Sequence, residues 1–195
     1  LQALHRQEML HQDLKPDNIL IGSDGKITII DFGATRVAGL EESATGIDQI
    51  NLLGAAQYAA PEYFLGELGS PKSDLYSLGI IAYQMLSGKF PYDDKVPKLR
   101  SRKGLPRLEY LSLKLFDPNI PFGVDGAIQK AVAPDPEARH DQISEFIHEL
   151  SHSNPAYERP KSLPLVQRHP LRFWQGLSLL LFGAVVILGI RLLRG

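Results

Sequence analysis

The stretch that decides the fold is residues 11–33, which reads HQDLKPDNILIGSDGKITIIDFG. Two short β-branched runs, at 19–21 and 26–30, lie on either side of the sequence Gly-Ser-Asp-Gly at 22–25. This pattern predicts a β-hairpin with a tight turn. Because a hairpin returns the chain on itself, polar side chains that flank its two strands are expected at one site.

The polar residues around this hairpin are of the types that phosphoryl transfer needs. Asp13 supplies a carboxylate that can orient a hydroxyl nucleophile and accept its proton. Lys15, two residues on, supplies a cation for the migrating phosphoryl group. Asn18 and Asp31 supply hard oxygen ligands, which suit magnesium held jointly with phosphates. The sequence therefore predicts a phosphoryl-transfer site with Mg.

The same stretch resembles the catalytic and magnesium loops of eukaryotic-like Ser/Thr protein kinases. The resemblance continues through Ala-Pro-Glu at 60–62, like the motif that closes the activation segment, and through DLYSLG at 74–79, like the start of the large central helix. DPEAR at 135–139 resembles a late motif of the same lobe. These motifs keep the order of a kinase C-terminal lobe over residues 1–150.

The resemblance implies a mainly α fold: a helical C-terminal lobe with a small catalytic β-hairpin. It implies ATP and Mg as cofactors and Ser or Thr of a protein as substrate, with no nucleic acid. Asp13 and Lys15 are then catalytic, Lys15 also contacts ATP, and Asn18 and Asp31 hold Mg. Bacterial membrane-anchored kinases, including those fused to a protein-phosphatase domain, are a narrower match.

Three further residues receive structural roles from the resemblance. Asp74 is expected to hold the backbone of the catalytic loop. Glu62 and Arg139 are expected to form a buried ion pair. Tyr58 is expected either to line the peptide-binding surface or to pack.

The sequence also departs from the family pattern. No Gly-rich phosphate loop, strand lysine or partner glutamate is found, so the N-terminal lobe is expected to be missing and the fragment to be inactive by itself. Gln12 replaces the arginine that usually gathers a phosphorylated loop, so Ser43 and Thr45 are not expected to need phosphorylation. Ala55 replaces a threonine that bridges the catalytic Asp and Lys.

Helices are predicted from composition and periodicity along the rest of the lobe. Leucine spacing in residues 1–10 indicates the end of a helix whose start is missing. Residues 73–87 are apolar nearly all round, which predicts a buried helix ended by Gly88. Residues 124–132 and 141–150 are amphipathic, whereas 34–57 is predicted to be a loop.

Bulk composition narrows the class of protein. The chain has 195 residues, and its 44% hydrophobic content supports one packed domain plus an appendage. A net charge of −1 gives no global field for nucleic acid or anionic lipid. Since there is no cysteine, disulfides and thiolate metal sites are excluded.

The C-terminal region predicts a membrane anchor. Residues 151–172 hold four prolines and are interpreted as a juxtamembrane linker. Residues 173–190 are uncharged, and a helix over 173–193 is long enough to cross a bilayer core of about 30 Å. Basic residues upstream outnumber those downstream, which places the lobe on the cytoplasmic side of a single-pass protein. The alternative is a buried soluble helix.

Two other functions stay open at this stage. A membrane-anchored pseudokinase that acts as a binding module would keep the fold, and Gln12 and Ala55 are compatible with it. A kinase-fold enzyme acting on a small molecule is the third possibility. The Ala-Pro-Glu segment and the long 34–57 loop favour a protein substrate.

Overall fold

A computed structural model of the chain describes residues 1–31, 36–37, 55–152, 154, 157, 174, 175 and 178. The chain divides into two compact units, Leu1–Glu158 and Arg159–Gly195. All helices and strands reported below belong to the first unit.

The hairpin forms as the sequence predicts. Strand β2 (Ile19–Ile21) pairs antiparallel with β3 (Ile27–Ile29), in the register Ile19 to Ile29 and Ile21 to Ile27. Gly25 adopts φ 77°, a left-handed conformation that glycine reaches without steric cost. The turn is closed by the Gly22 N–H, which donates to the Lys26 carbonyl at 2.8 Å.

The N-terminal helix is shorter than leucine spacing predicts, and the helical interpretation of Leu10 is wrong. Helix α1 covers only Gln2–His5, and Glu8 has a left-handed φ of 57°. Met9–Leu10 forms strand β1, which pairs antiparallel with β4, Arg36–Val37. Leu10 is paired with Arg36, 26 positions further along the chain. This long-range pairing overrides the helical spacing of the leucines, which extends over only a few residues.

The central helix α3 (Pro71–Ser87) ends at the predicted Gly88 but begins two residues before its predicted start at Ser73. Ser70 caps its N-terminus in a capping box with Ser73, and Gly88 ends it at φ 65°. Most of its residues from Ser73 to Tyr83 are buried, but the last turn is not, since Met85 is 81% exposed. The prediction of a helix buried all round therefore holds only for its first part.

Two further helices complete the core, within a few residues of their predicted bounds: α4 (Phe122–Ala131) and α5 (Ile143–Ser151). Between them and α3 lies one apolar cluster, which includes Leu75, Tyr83, Leu113, Ile128 and Phe146. A second cluster lies beside it and includes Tyr76, Ile80, Tyr92 and Val132.

The remaining connections are short helical turns. A four-residue helix α2 (Pro61–Phe64) precedes α3. The other turns are 3-10 helices, namely Pro16–Asn18, Ala55–Gln57, Val96–Lys98, Arg102–Arg107, Leu113–Leu115 and Pro136–Ala138.

Within the described ranges, no helix is long and apolar enough to cross a bilayer. The predicted span 173–193 lies outside these ranges except for Trp174, Gln175 and Ser178. The membrane helix therefore stays a prediction.

Candidate active site

Asp13, Lys15 and Asn18 form one hydrogen-bonded group. The Lys15 Nζ donates to Asp13 Oδ2 at 2.7 Å, and the Asn18 Nδ2 donates to the same oxygen at 3.2 Å. The Asn18 Nδ2 also donates to the Asp13 carbonyl at 2.7 Å. The Asp13 side chain stays 34% exposed, so a substrate hydroxyl can reach it, whereas Asn18 is buried.

A proline-initiated turn sets this geometry. Pro16–Asn18 forms a 3-10 helix in which proline occupies the first turn, where its missing N–H costs nothing. The Asn18 N–H donates back to the Lys15 carbonyl at 3.0 Å. Asp13 and Lys15, two residues apart, thereby turn toward the same place as the Asn18 amide.

The hairpin returns the chain to Asn18 immediately before Asp31. The Ile30 N–H donates to the Asn18 carbonyl at 2.9 Å, so Asp31 follows directly on the strand position opposite Asn18. Asp31 is exposed and has a left-handed φ of 62°. A non-glycine residue in that conformation is uncommon, and such strain is concentrated at functional sites.

Asp74 fixes the backbone that leads into the site. Its carboxylate, 1% exposed, accepts hydrogen bonds from the backbone N–H groups of His11 at 2.8 Å and Gln12 at 2.9 Å. Gln12 has a left-handed φ of 65°, which this anchoring holds in place. The third contact is the His5 Nε2, at 2.9 Å from Asp74 Oδ2. Sequence reasoning missed His5, because nothing local marks a partner 69 positions away.

Glu62 and Arg139 form a buried bidentate pair. The Arg139 Nη1 and Nη2 lie 2.8 Å from the two Glu62 carboxylate oxygens. The Ser73 hydroxyl donates to Glu62 Oε1 at 2.7 Å. Burial acts to raise the pKa of Glu62, but the hydrogen bonds from Arg139 and Ser73 outweigh it and hold the pKa below its ordinary value. The carboxylate therefore stays charged inside the protein.

Tyr58 links the segment before α2 to the central helix. Its hydroxyl donates to Gln84 Oε1 at 2.5 Å, and its carbonyl accepts from the Ser77 hydroxyl at 2.8 Å. Its ring makes an edge contact with Phe90. Burial raises the pKa of Tyr58, so the hydroxyl stays a proton donor. These contacts give Tyr58 a packing role.

The donor set suits Mg shared with a phosphate ligand. Asn18 donates both of these hydrogen bonds from Nδ2. Neither bond involves its Oδ1, which can therefore act as a metal ligand. Together with the exposed Asp31 carboxylate, this offers two oxygen types that magnesium prefers. Over the described residues, no group of three or more His, Cys, Asp or Glu could hold a metal by itself. The fit is therefore to a metal that completes its coordination with substrate phosphates and water.

Some predicted features lie outside the described residues. They are the Phe-Gly that follows Asp31, the side chain of Ala55, and the candidate phosphosites Ser43 and Thr45. Their roles stay predictions.

Comparison with known proteins gives the family. Residues 1–170 match the protein kinase domain family. The serine/threonine-protein kinase PrkC of Bacillus subtilis is 36% identical over 143 residues, which cover 73% of this chain and 21% of that protein. The serine/threonine-protein kinase PknD of Chlamydia trachomatis is 34% identical over 167 residues, covering 75% of this chain and 18% of that protein. The chain belongs to the protein kinase domain family.

The chain spans about a fifth of the length of these curated relatives. The matched portion contains every site residue described above. What the relatives phosphorylate, and what controls them, is a property of much longer proteins.

Proposed function

We propose that this chain supplies the catalytic loop and the substrate-facing part of a Ser/Thr protein kinase that uses MgATP. The observation that carries the proposal is the group formed by Asp13, Lys15 and Asn18, in which one oxygen of the partly exposed Asp13 carboxylate accepts from both neighbours. Kinase relatives at 31–36% identity support the same reaction class.

The residues have distinct tasks in this reaction. The Asp13 carboxylate orients the substrate hydroxyl and accepts its proton as the oxygen–phosphorus bond forms and the bond from the γ-phosphorus to the departing ADP oxygen breaks. The Lys15 ammonium, held by Asp13, lies where it can neutralise charge on the transferred group. Asn18 and Asp31 would hold Mg, which neutralises phosphate charge when bound.

The hairpin offers a surface for the nucleotide base. Ile21 and Ile27 are a cross-strand pair, and they are 72% and 66% exposed. This apolar pair lies on the same hairpin as Asn18 and Asp31, at its turn end, and suits the flat face of adenine.

The test is phosphate transfer by the full-length natural gene product. Transfer from MgATP to the protein itself and to a generic basic protein is measured with Asp31→Ala as the inactive variant. Asp94→Ala is the matched control, because Asp94 is an exposed carboxylate whose ion pair is with Lys98 on the surface. Transfer lost only in Asp31→Ala supports the proposal. A folded protein with no transfer supports the pseudokinase instead, to which Ala55 and Gln12 point.

We also propose that residues 173–193 anchor the protein in the membrane, with the kinase lobe on the cytoplasmic side. The support is the uncharged run 173–190 between two arginines and the excess of upstream basic residues. Arginine at the centre of a membrane helix costs about 2.5–3.5 kcal/mol. Val185→Arg with Leu188→Arg is therefore expected to move the protein from the membrane fraction to the alkaline extract, and full retention would contradict the anchor.

A further inference from the structure

The segment 95–107 carries a concentrated positive charge. Residues 95–107 contain six basic residues and no acidic residue, although the chain as a whole has a net charge of −1. Arg102 is paired with Glu67 through two hydrogen bonds of 2.7 Å. Lys103 and Arg107 are exposed, and within the described residues neither has a carboxylate partner in ion-pair distance. Two cations are therefore left available to a partner.

A cavity of about 500 Å³ opens directly beside these cations. One wall consists of Leu105, Pro106 and Leu108, so Arg107 lies between two lining residues. The opposite wall includes Ala133 and Ala138. Most of the lining is apolar, which suits an aliphatic side chain, and the volume fits a few such groups.

Both walls are held rigidly by the core. Leu105 and Leu108 pack against the apolar cluster around Tyr76. On the other side, the buried Arg139 donates from Nε to the Ala133 carbonyl at 2.8 Å and from Nη2 to the Pro134 carbonyl at 3.3 Å. The guanidinium that pairs with Glu62 therefore also shapes this cavity, so the cavity is preformed.

One acidic group lies on the cavity wall. Asp135 accepts a hydrogen bond from the Glu137 N–H at 3.2 Å and so caps the turn Pro136–Ala138. Its charge opposes part of the positive charge of Lys103 and Arg107. The balance at the rim stays positive, because two cations stand against one carboxylate and the charges of Arg102 and Glu67 cancel.

We propose that this cavity and its basic rim dock an acidic segment of the protein substrate, outside the residue that is phosphorylated. The segment places an aliphatic side chain between the walls, and its Asp or Glu residues contact Lys103 and Arg107. The inference rests on the proposed kinase function for the identity of the partner as a substrate. The charge complementarity and the apolar lining favour an acidic peptide over a flat anionic membrane, which has no side chain to place against the apolar lining.

Binding is tested first without ATP, on the full-length gene product. The probe is a fluorescein-labelled 12-residue peptide of Asp and Glu around a central Leu-Leu, without Ser, Thr or Tyr, and fluorescence anisotropy gives its Kd. Lys103→Glu with Arg107→Glu is expected to weaken binding about tenfold, and raised salt to weaken it further. The charge-matched control is Arg6→Glu with Lys89→Glu, two exposed cations outside the 95–107 stretch and outside the lining, and it should change Kd less than twofold.

Two single variants test the cavity itself. Asp135→Asn keeps an N-cap residue but removes the opposing charge, so the acidic peptide should bind more tightly. Ala138→Trp fills the cavity from an exposed position and should weaken binding without unfolding the lobe. Equal binding of a peptide with Gln and Asn in place of the acids, or equal loss in the control variant, would overturn the proposal. Binding to phosphatidylserine vesicles without binding to the peptide would overturn it in favour of a membrane.

Transfer assays separate this proposal from the kinase function. With the acidic segment fused to a Ser-containing acceptor, the variant of Lys103 and Arg107 should raise KM about tenfold and leave kcat unchanged. Transfer to a short acceptor without the segment should be unaffected. If no transfer occurs while the anisotropy results hold, the docking site stands and the kinase function fails; if transfer occurs without charge preference in binding, the docking site alone fails.

Discussion

Arg139 and Glu62, 77 positions apart, meet in two parallel hydrogen bonds of 2.8 Å inside the protein. The same guanidinium donates to the carbonyls of Lys72 and Ala133. The pair thus ties the segment that closes the activation loop to the start of the central helix and to the turn after α4. Through Ala133 it also sets one wall of the cavity beside the basic rim.

Removing one member of this pair should strongly destabilise the protein. Glu62→Gln leaves the buried Arg139 charge without its counter-ion, and breaking a buried pair in this way costs about 3–5 kcal/mol. The loss in the free energy of unfolding is measured by urea denaturation. Glu67→Gln is the matched control, because Glu67 forms the same bidentate contact with Arg102 at the surface. It should unfold at nearly the urea concentration of the wild type, and an equal loss in both variants would show that burial is not decisive.

The pair should also make stability depend on pH in the acid range. The pKa of Glu62 is lowered in the folded protein from its ordinary value of 4.5, so the unfolded chain takes up the proton first. The contribution of the ion pair to the free energy of unfolding is therefore complete above about pH 4.5. It is lost as the pH falls through the lower pKa that Glu62 has in the folded protein. The difference in unfolding free energy between wild type and Glu62→Gln should shrink on acidification. A constant difference from pH 7 to pH 3 would contradict this.

Asp74 should control activity without touching the substrate. Its carboxylate accepts from the backbone N–H groups of His11 and Gln12, so Asp74→Asn places amide hydrogens against one of these donors. A lost charge-assisted hydrogen bond costs roughly 1.5–3 kcal/mol. We expect lower stability together with a lower kcat, since the loop that carries Asp13 loses its anchor. Asp141→Asn, at an exposed carboxylate bound to Lys72, should leave kcat unchanged.

The parts of the fold that sequence predicts are those with strong local signals. The hairpin at 19–29 has its turn chemistry, and the helix predicted at 73–87 has a terminal glycine, so both are found where the pattern indicates. The capping box of Ser70 and Ser73 starts that helix two residues earlier than predicted. The pairing of Leu10 with Arg36 could not be predicted in this way. Two residues carry too little periodicity, and their strand exists only because a distant segment supplies the partner backbone.

The candidate site likewise has some residues that local sequence predicts and others that depend on distant contacts. Asp13, Lys15 and Asn18 lie within six residues, so one local turn is enough to bring them together. The ion pair between Glu62 and Arg139 could be expected only through the family resemblance. The contact of His5 with Asp74 has no local signature, and the cavity beside Leu105 depends on how two distant loops pack.

Activity should not need phosphorylation of the segment that contains Ser43 and Thr45. Gln12 is neutral, and its backbone is fixed by Asp74, so it provides no cation for a phosphate dianion. The double variant Ser43→Ala with Thr45→Ala should therefore keep the transfer rate of the wild type in the full-length protein. Loss of transfer in a double variant that still folds would contradict this.

Asn18 has two tasks that substitution can separate. Its Nδ2 supports Asp13 through bonds of 2.7 and 3.2 Å, whereas its Oδ1 is the proposed Mg ligand. Asn18→Asp keeps an oxygen ligand but loses the donor, so kcat should fall, by about tenfold or more, at a nearly unchanged Mg requirement. Asn18→Ala loses both, so its Mg requirement should rise as well. Transfer rates measured across a Mg titration distinguish the two; if both variants shift the Mg requirement equally and keep kcat, the hydrogen bond to Asp13 has no part in catalysis.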